Sequence, residues 1–433
     1  MKPIRPICDR QEQLAVEAAV VKIIQELKQG MMLSSCGFHH DPWSGWEMLA
    51  AVGAKRSLEV PPDHLDKGIP TKIQAFLDEE ESWYFFHFNY DLKNCFEELV
   101  SLNSDRIGFP ELIVFEPLAV IGVRNGMLYG SGDALLIRHI EQLIAVPGSF
   151  ANLPFEPIKV QHAITSGQYM DAVKAVLSHI RRGDVYELNY CQEFFSSADK
   201  MPDPAALWQR LSQSSPAPFS AFYLWNHHAL ISASPERFLK KSGSRLISQP
   251  IKGTIRRGAD DQEDQHLKEK LFHDEKERSE NVMIVDLVRN DLSRVARRGS
   301  VSVPELFGIY TFPSVHQMIS TVQAEVREGV SFTEVLRALF PMGSMTGAPK
   351  IRAMELIDNY EYSKRGLYSG TVGYLTPEGD FDMSVIIRSL LLNLDLNLAS
   401  FQTGGAITSA SVPSDEYAES MLKARALIRL LEG

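Results

Sequence analysis

Only four cysteines, Cys8, Cys36, Cys95 and Cys191, occur in 433 residues, scattered without a CxxC pair or metal-ligand spacing. Their scarcity excludes a disulfide framework or a zinc module and predicts reduced thiols in a cytoplasmic protein. No apolar run approaches the ~20 residues of a membrane span, and the opening MKPIRPICDRQEQ lacks the hydrophobic stretch of a secretion signal. A soluble chain with no membrane partner is expected. Long runs of Lys or Arg are also missing: 44 basic residues against 55 acidic ones leave a formal charge of -11, unsuited to a phosphate backbone. Nucleic acid is not an expected partner. Internal repeats and low-complexity tracts are absent as well.

What is present is core-forming material, 44% apolar against 23% charged, in a chain longer than one hydrophobic core usually supports. Two domains or one large intertwined sheet follow. Residues 1 to about 155 mix strand-like runs (SWYFFHFNYDL, ELIVFEPLAVIGV) with turn signals at Asn125-Gly126 and Gly130-Ser131-Gly132. The segment VPGSFANLPFEP, 146–157, reads as a linker, dividing an N-terminal region, 1–155, from a more sharply patterned region, 156–433. There, Ser166 can cap a helix with apolar Tyr169, Val173, Val176, Leu177 and Ile180, stopped by Gly183. VYELNYCQEF reads as a strand. So does the alternation of Leu390, Leu392, Leu394, Leu396 and Leu398. Strands in runs with longer helices between them indicate an α+β fold, large antiparallel sheets flanked by helices.

In FLKKSGSRLISQPIKGT, two strand-like arms meet at Ser242-Gly243-Ser244. A register centred on Gly243 sets Glu236 opposite Pro250 and makes Lys252 its diagonal neighbour, with Cα atoms roughly 7 to 8 Å apart. A slip of one residue would separate them. Taken alone, a loop cation and a solvated strand end is the simpler account.

In ERSENVMIVDLVRNDLSRV, Glu280 shares a helical stripe with Ile284, Leu287, Val288, Asp291, Leu292 and Val295. A carboxylate so placed calls for a divalent metal or an arginine, and an ion pair with Arg289 or Arg294 serves equally. In SDEYAESMLKARALIRLLEG the periodicity buries Tyr417, Met421, Ala424, Ile428 and Leu431, and sets Glu416, Glu419 and Lys423 on a neighbouring face. An ordinary Glu-to-Lys helical pair explains these; so does a second carboxylate for Mg²⁺, which takes one or two and leaves room for water and substrate. Gly404 and Gly405 of QTGGAIT offer backbone N–H groups to an anion, or simply a tight turn with positive φ. PMGSMTGAPK, 341–350, fails the phosphate-loop pattern because Ala348-Pro349-Lys350 stands where Gly-Lys-Ser/Thr is needed.

Together and in this order, SPERFL, PIKGT, SENVMIVDLVRNDLSRVA, FPMGSMTGAPKIRAMELI, LYSGTVGY and FQTGGAITSAS resemble the chorismate-utilising enzyme family, that of anthranilate synthase component I. These motifs cover about residues 166–433; the first 155 residues match loosely, chiefly through FNYDLKN. The resemblance implies a two-layered α/β sandwich. The lysine of PIKGT is similar to that of members forming 4-amino-4-deoxychorismate, whereas anthranilate-forming members typically carry Ala there. Members that add water to chorismate carry a lysine at the position of Glu187, and related synthases usually have Gln, so Glu187 is a departure.

The resemblance further implies that Mg²⁺, held by Glu280 and Glu419 with Glu416 through water, grips the ring carboxylate, helped by Lys423 and the Gly404-Gly405 backbone. Tyr368 and Arg388 match positions that bind the enolpyruvyl carboxylate, a task suited to a planar guanidinium. Arg388 interrupts the apolar run SVIIRSLLL, for which an ion pair with Asp382 is the alternative. Thr254 and Thr346 are further expected substrate contacts. Glu236 would protonate the departing 4-hydroxyl, and His316 matches a family active-site histidine, although a structural histidine looks the same in sequence. Lys252 would attack C2 as a neutral amine. At an ordinary pKa of ~10.4 it is almost wholly protonated at pH 7; lowering this by ~4 kcal/mol makes it competent, and Mg²⁺ and desolvation are expected to act in that direction. Ammonia then enters at C4 and releases the lysine. No Gly-x-Cys-x-Gly amidotransferase loop and no second catalytic region for pyruvate elimination are visible. A separate glutamine amidotransferase subunit and a lyase are the implied partners. The competing readings are an anthranilate-forming enzyme and a catalytically silent scaffold for an amidotransferase.

Overall fold

The computed structural model describes all residues except 39–42, 146–154 and 314. Most of the expected linker lies outside the described residues. Every ladder between the described strands is antiparallel. The hub is Leu112–Arg124, whose run of buried side chains on both faces marks a central strand. It pairs along its length with Met48–Val60, and on its other edge with Tyr84–Phe88 and Met127–Gly132.

Two strand paths leave the hub. One runs from Tyr84–Phe88 through Thr371–Leu375, Phe381–Val385, Arg237–Ser242 and Arg245–Ser248 to Val315–Glu325, which also pairs with Ile251–Arg256 and Ser302–Thr311. The other runs from Met48–Val60 through Gln29–Ser34, Phe219–Trp225, His228–Ser234, Ser389–Asn393 and Leu398–Ile407 to Glu187–Ser197. The far ends meet: Lys252 on the first path and Glu187 on the second form an ion pair. Strands from residues 1–155 thus sit between strands of the remainder, in one intertwined network.

Helices cover this network through their apolar stripes. Helices Arg10–Leu27, Pro204–Ser214 and Pro413–Glu432 share a cluster with Phe222, Ile231, Leu390 and Phe401. Helix Glu275–Ser293 packs Val285, Val288 and Leu292 against Leu239, Leu246 and Val322. The helix expected after Ser166 spans Ser166–Arg182, with the cap one residue earlier: Thr165 and Gln168 form a reciprocal capping box, and Gly183 at φ 81° closes the helix.

Further expectations need correction. The alternating leucines are a hairpin, Ser389–Asn393 and Leu398–Ile407, reversed through Asn397 at φ 52° and the Leu396 N–H bond to Asn393 Oδ1 (3.1 Å). The C-terminal helix buries Glu416, Ser420, Ala424, Leu427, Leu430 and Leu431, so its core face is rotated from the expected one and takes in a carboxylate.

Gly404 and Gly405 lie in strand Leu398–Ile407, not in a turn. A Cβ on Gly404 would lie 2.1 Å from the Tyr190 carbonyl oxygen, so bare backbone is what lets this strand seat against Glu187–Ser197. Gly404→Ala is expected to destabilise the fold by at least ~1–3 kcal/mol, read as a lower urea midpoint with the slope retained.

Candidate active site

Lys252 stands two residues after the proline that ends one ladder and within a bulge of the next. Pro250 has no N–H to donate, and pairing with Val315–Glu325 is irregular between Ile251 and Thr254. Gly253, at φ 91°, allows helix Glu275–Ser293 to approach: a Cβ there would meet Glu277 and Leu271 at 3.2 Å. Lys252 is buried, and its Nζ lies 2.5 Å from Glu187 Oε1. It is neither a loop cation nor solvated. Burial pulls its pKa down, but the carboxylates of Glu187, Glu280 and Glu236 outweigh burial and hold it above the ordinary lysine value. The expected lowering is therefore not a property of these side chains alone, because three acids surround one amine.

Glu236 reaches Lys252 by a different route from the expected hairpin diagonal. Ser242 pairs with Arg245 around a two-residue turn, one residue away from a Gly243-centred register. The ladder then ends before Pro250, and the next strand brings the Ile251 N–H onto the Glu236 carboxylate and Lys252 into its field. Ser344 Oγ donates to Glu236 Oε1 at 2.6 Å. Burial dominates, pushing the Glu236 pKa up to about 7. Ser344 had no signal of its own in sequence. It belongs to the segment resembling a phosphate loop, whose Lys350 instead binds Asp291 Oδ2 (2.5 Å) and the carbonyls of Leu339 and Pro341. Thr346, in the same segment, is buried and turns its hydroxyl to the Met342 and Gly343 carbonyls, each at 3.2 Å. Thr254 is exposed, 3.5 Å from Gln317 Nε2.

Glu280 is buried, and neither arginine considered for it is its partner: Arg289 pairs with Asp286, and Arg294 donates to the Ala338 carbonyl. Its nearest cation is Lys276 at 3.9 Å, and its Oε1 has no hydrogen-bond partner. Burial raises its pKa to about 7, with Glu277 and Glu187 adding to the effect. Glu416 is also buried and raised, whereas Lys423, 2.7 Å from Glu419, outweighs burial and holds Glu419 low. Glu416 and Glu419 converge at Gly405, where a Cβ would lie 3.3 and 3.5 Å from their carboxylate oxygens, and Lys423 donates to the Gly404 carbonyl at 2.9 Å. Among the described residues no three His, Cys, Asp or Glu side chains already close on one point. An orphaned buried oxygen beside further carboxylates nevertheless fits a hard divalent cation, which shares its coordination with water and substrate.

Arg388 stands at φ 53° with its side chain half-buried, and no hydrogen bond or ion pair links its guanidinium to another described residue. Burial lowers its pKa, with Tyr368 alone opposing. Asp382 is no partner; it is held by Arg237 (2.9 and 3.1 Å) and Lys240 (3.3 Å). Tyr368 is buried with its hydroxyl 3.5 Å from Cys191 Sγ. A half-buried guanidinium beside a phenol and without an anion among the described residues is suited to a carboxylate ligand. His316 is placed differently. Its Nε2 lies 2.8 Å from Asp264 of helix Asp261–His273, which Arg257 also grips, and its Nδ1 3.1 Å from Thr311 of the neighbouring strand Ser302–Thr311, so both ring nitrogens are engaged in structural contacts.

The family model of chorismate binding enzymes matches residues 26–429. Aminodeoxychorismate synthase component 1 of Escherichia coli is 41% identical over 356 residues, covering 80% of this chain and 76% of that protein. Anthranilate synthase component 1 of Thermus thermophilus is 36% identical over 357 residues, 79% and 76% of the two chains. The chloroplastic aminodeoxychorismate synthase of Arabidopsis thaliana is 43% identical over 262 residues, 60% of this chain but only 28% of that protein's length. Among solved structures, anthranilate synthase component I of Streptococcus pneumoniae superposes with a TM-score of 0.77 at 24% identity, over 90% of this chain and 94% of that one. The menaquinone-specific isochorismate synthase of Escherichia coli gives 0.73 at 18% identity, over 100% and 93%, a likeness of fold. With nearly its whole length matched by one family model and its strand network shared with that family's structures, this chain belongs to the chorismate-binding enzymes.

Proposed function

We propose that the chain converts chorismate and ammonia to 4-amino-4-deoxychorismate and water, with Lys252 as the covalent nucleophile. The observation carrying this reading is the buried amine of Lys252 set between Glu187 and the proton-donating Glu236. The relatives named aminodeoxychorismate synthase support it. Arg388 and Tyr368 bind the enolpyruvyl carboxylate, and Lys423 with the backbone at Gly404 and Gly405 flanks the ring carboxylate. Lys252 Nζ attacks C2, the two ring double bonds shift, and the C4–O bond breaks as Glu236 delivers its proton, releasing water. Ammonia then attacks C4, the double bonds return, the C2–Nζ bond breaks, and the new ammonium passes a proton to the Glu236 carboxylate. Glu280, Glu416 and Glu419 would hold Mg²⁺, which supplies positive charge to the ring carboxylate. His316 and Thr346 enter as positioning residues, and Thr254 as a contact at the open edge.

A glutamine amidotransferase subunit is the proposed ammonia source, in keeping with relatives named as component 1. A lyase would complete 4-aminobenzoate. The described cysteines are all free thiols, and among the described residues no helix is long and apolar enough to cross a membrane, so the cytoplasm is the proposed location.

Purified chain given chorismate, Mg²⁺ and ammonium should yield aminodeoxychorismate; anthranilate, or no product, sinks the proposal in favour of a neighbouring reaction or a scaffold. Lys252→Ala should lower amine output by ~100-fold or more, and undiminished output removes the nucleophile role. Arg388→Ala loses a charge-assisted grip of ~1.5–3 kcal/mol, so KM for chorismate should rise roughly tenfold to a hundredfold while the Mg²⁺ requirement is unchanged. The rate should form a bell in pH. Glu236 acts as an acid, so activity falls as pH rises through about 7. Glu280 must lose its proton to bind metal, so activity also falls as pH drops below about 7. Raising Mg²⁺ should move the acid limb to lower pH and leave the alkaline limb in place; a shift of both limbs contradicts these roles.

A further inference from the structure

Glu187 Oε1 sits 2.5 Å from Lys252 Nζ, with the two side chains 5% and 9% exposed. A pair so buried loses about as much in desolvation as it gains in attraction, so it is a poor device for stability. Its geometry is nevertheless held from several sides. The Tyr186 N–H donates to the Ala348 carbonyl at 2.7 Å, and Gly347 packs so closely that a Cβ would lie 2.1 Å from the Glu187 carbonyl oxygen. Asn189, two residues on, bonds the Thr346 carbonyl through its N–H (2.8 Å) and the Ser344 carbonyl through its amide (2.8 Å). The segment that presents Ser344 to Glu236 therefore also aims Glu187 at Lys252.

We propose that Glu187 is the general base of the nucleophile, accepting a proton from the Lys252 ammonium before attack and returning it after the lysine departs. This rests on the reading of Lys252 as the covalent nucleophile. The form that reacts is Lys252–NH₃⁺, Glu187 carboxylate and Glu236 carboxylic acid. One Nζ proton passes to Glu187 Oε1, and the freed lone pair bonds C2 while the hydroxyl leaves C4 with the Glu236 proton. When ammonia displaces Nζ, the neutral amine takes its proton back from Glu187, and Glu236 is recharged by the C4 ammonium. Each acid ends as it began, and the sum is chorismate plus ammonia to product plus water.

The other charged groups facing Lys252 are Glu236 ahead of strand Arg237–Ser242, Glu277 and Glu280 of helix Glu275–Ser293, and Glu419 of the C-terminal helix; Glu280 also faces Glu187. Glu236 is the donor to the leaving group, Glu280 and Glu419 belong to the metal, and Glu187 is the one in hydrogen-bond contact with Nζ.

A carboxylate that only balanced charge would have the opposite effect when removed. Without it the ammonium is less favoured, and more free amine stands ready at pH 7. The isosteric Glu187→Gln separates the two accounts. Intact chain is mixed with chorismate and Mg²⁺ without ammonia, and the ring adduct on Lys252 is followed by protein mass from pH 6 to 10. Adduct formation in Glu187→Gln should be ~100-fold slower at pH 7 and should recover as pH climbs toward the free-lysine pKa of ~10.4, with chorismate affinity changed less than about threefold. Glu187→Asp should keep part of the rate at pH 7. A Gln variant as fast as wild type, or slow at every pH while folded, overturns the proposal. If wild type forms the adduct and the Gln variant is not slowed, this inference alone falls; if wild type forms none, the nucleophile reading falls with it.

Discussion

An ammonium buried among carboxylates is the interaction on which the arrangement of this molecule depends. Removing Lys252 from water favours its neutral form, and the acids around it more than reverse that preference. The acids respond in turn. Glu236 and Glu280 have pKa values near 7, so at neutral pH each is divided between carboxyl and carboxylate. Glu236 can therefore give up and regain a proton near neutral pH at small free-energy cost, which suits a reaction in which one oxygen leaves and one nitrogen arrives.

No local stretch of chain could assemble such a centre. Lys252 stands at one extremity of the strand network and Glu187 at the other, and their contact is made only after both paths have run outward from Leu112–Arg124 and curved back. The helices contribute what the strands cannot: Glu280 and Lys276 from one, Glu416, Glu419 and Lys423 from another. Close approach is bought with missing side chains at Gly253, Gly347 and Gly404, each set where a Cβ would meet a neighbouring element.

Periodicity made the helical part of the site readable. The stripe carrying Glu280 put a carboxylate among apolar residues, and burial with an unpartnered oxygen is what the fold provides. Arg388 was equally conspicuous as a charge inside an apolar run, and Asp382 proved to be taken by other cations. The proximity of Glu236 and Lys252 was anticipated through the wrong register; a third strand restores what the turn alone would have lost. The leucine alternation misled because a reversal at Asn393–Asn397 leaves the spacing of two unbroken on either side. The Glu187 to Lys252 contact had no signature, since 65 residues and most of the strand network separate the partners. Sequence marked Glu187 only as an unusual residue at its position.

The interleaving of Gln29–Ser34 between Met48–Val60 and Phe219–Trp225, and of Tyr84–Phe88 between Leu112–Arg124 and Thr371–Leu375, bears on how this chain can be divided. Severing it near residue 155 would strip partners from two central strands and leave raw edges prone to sticking to other molecules. Neither half of the sequence can close its own sheet edges, so the two must fold as one indivisible casting.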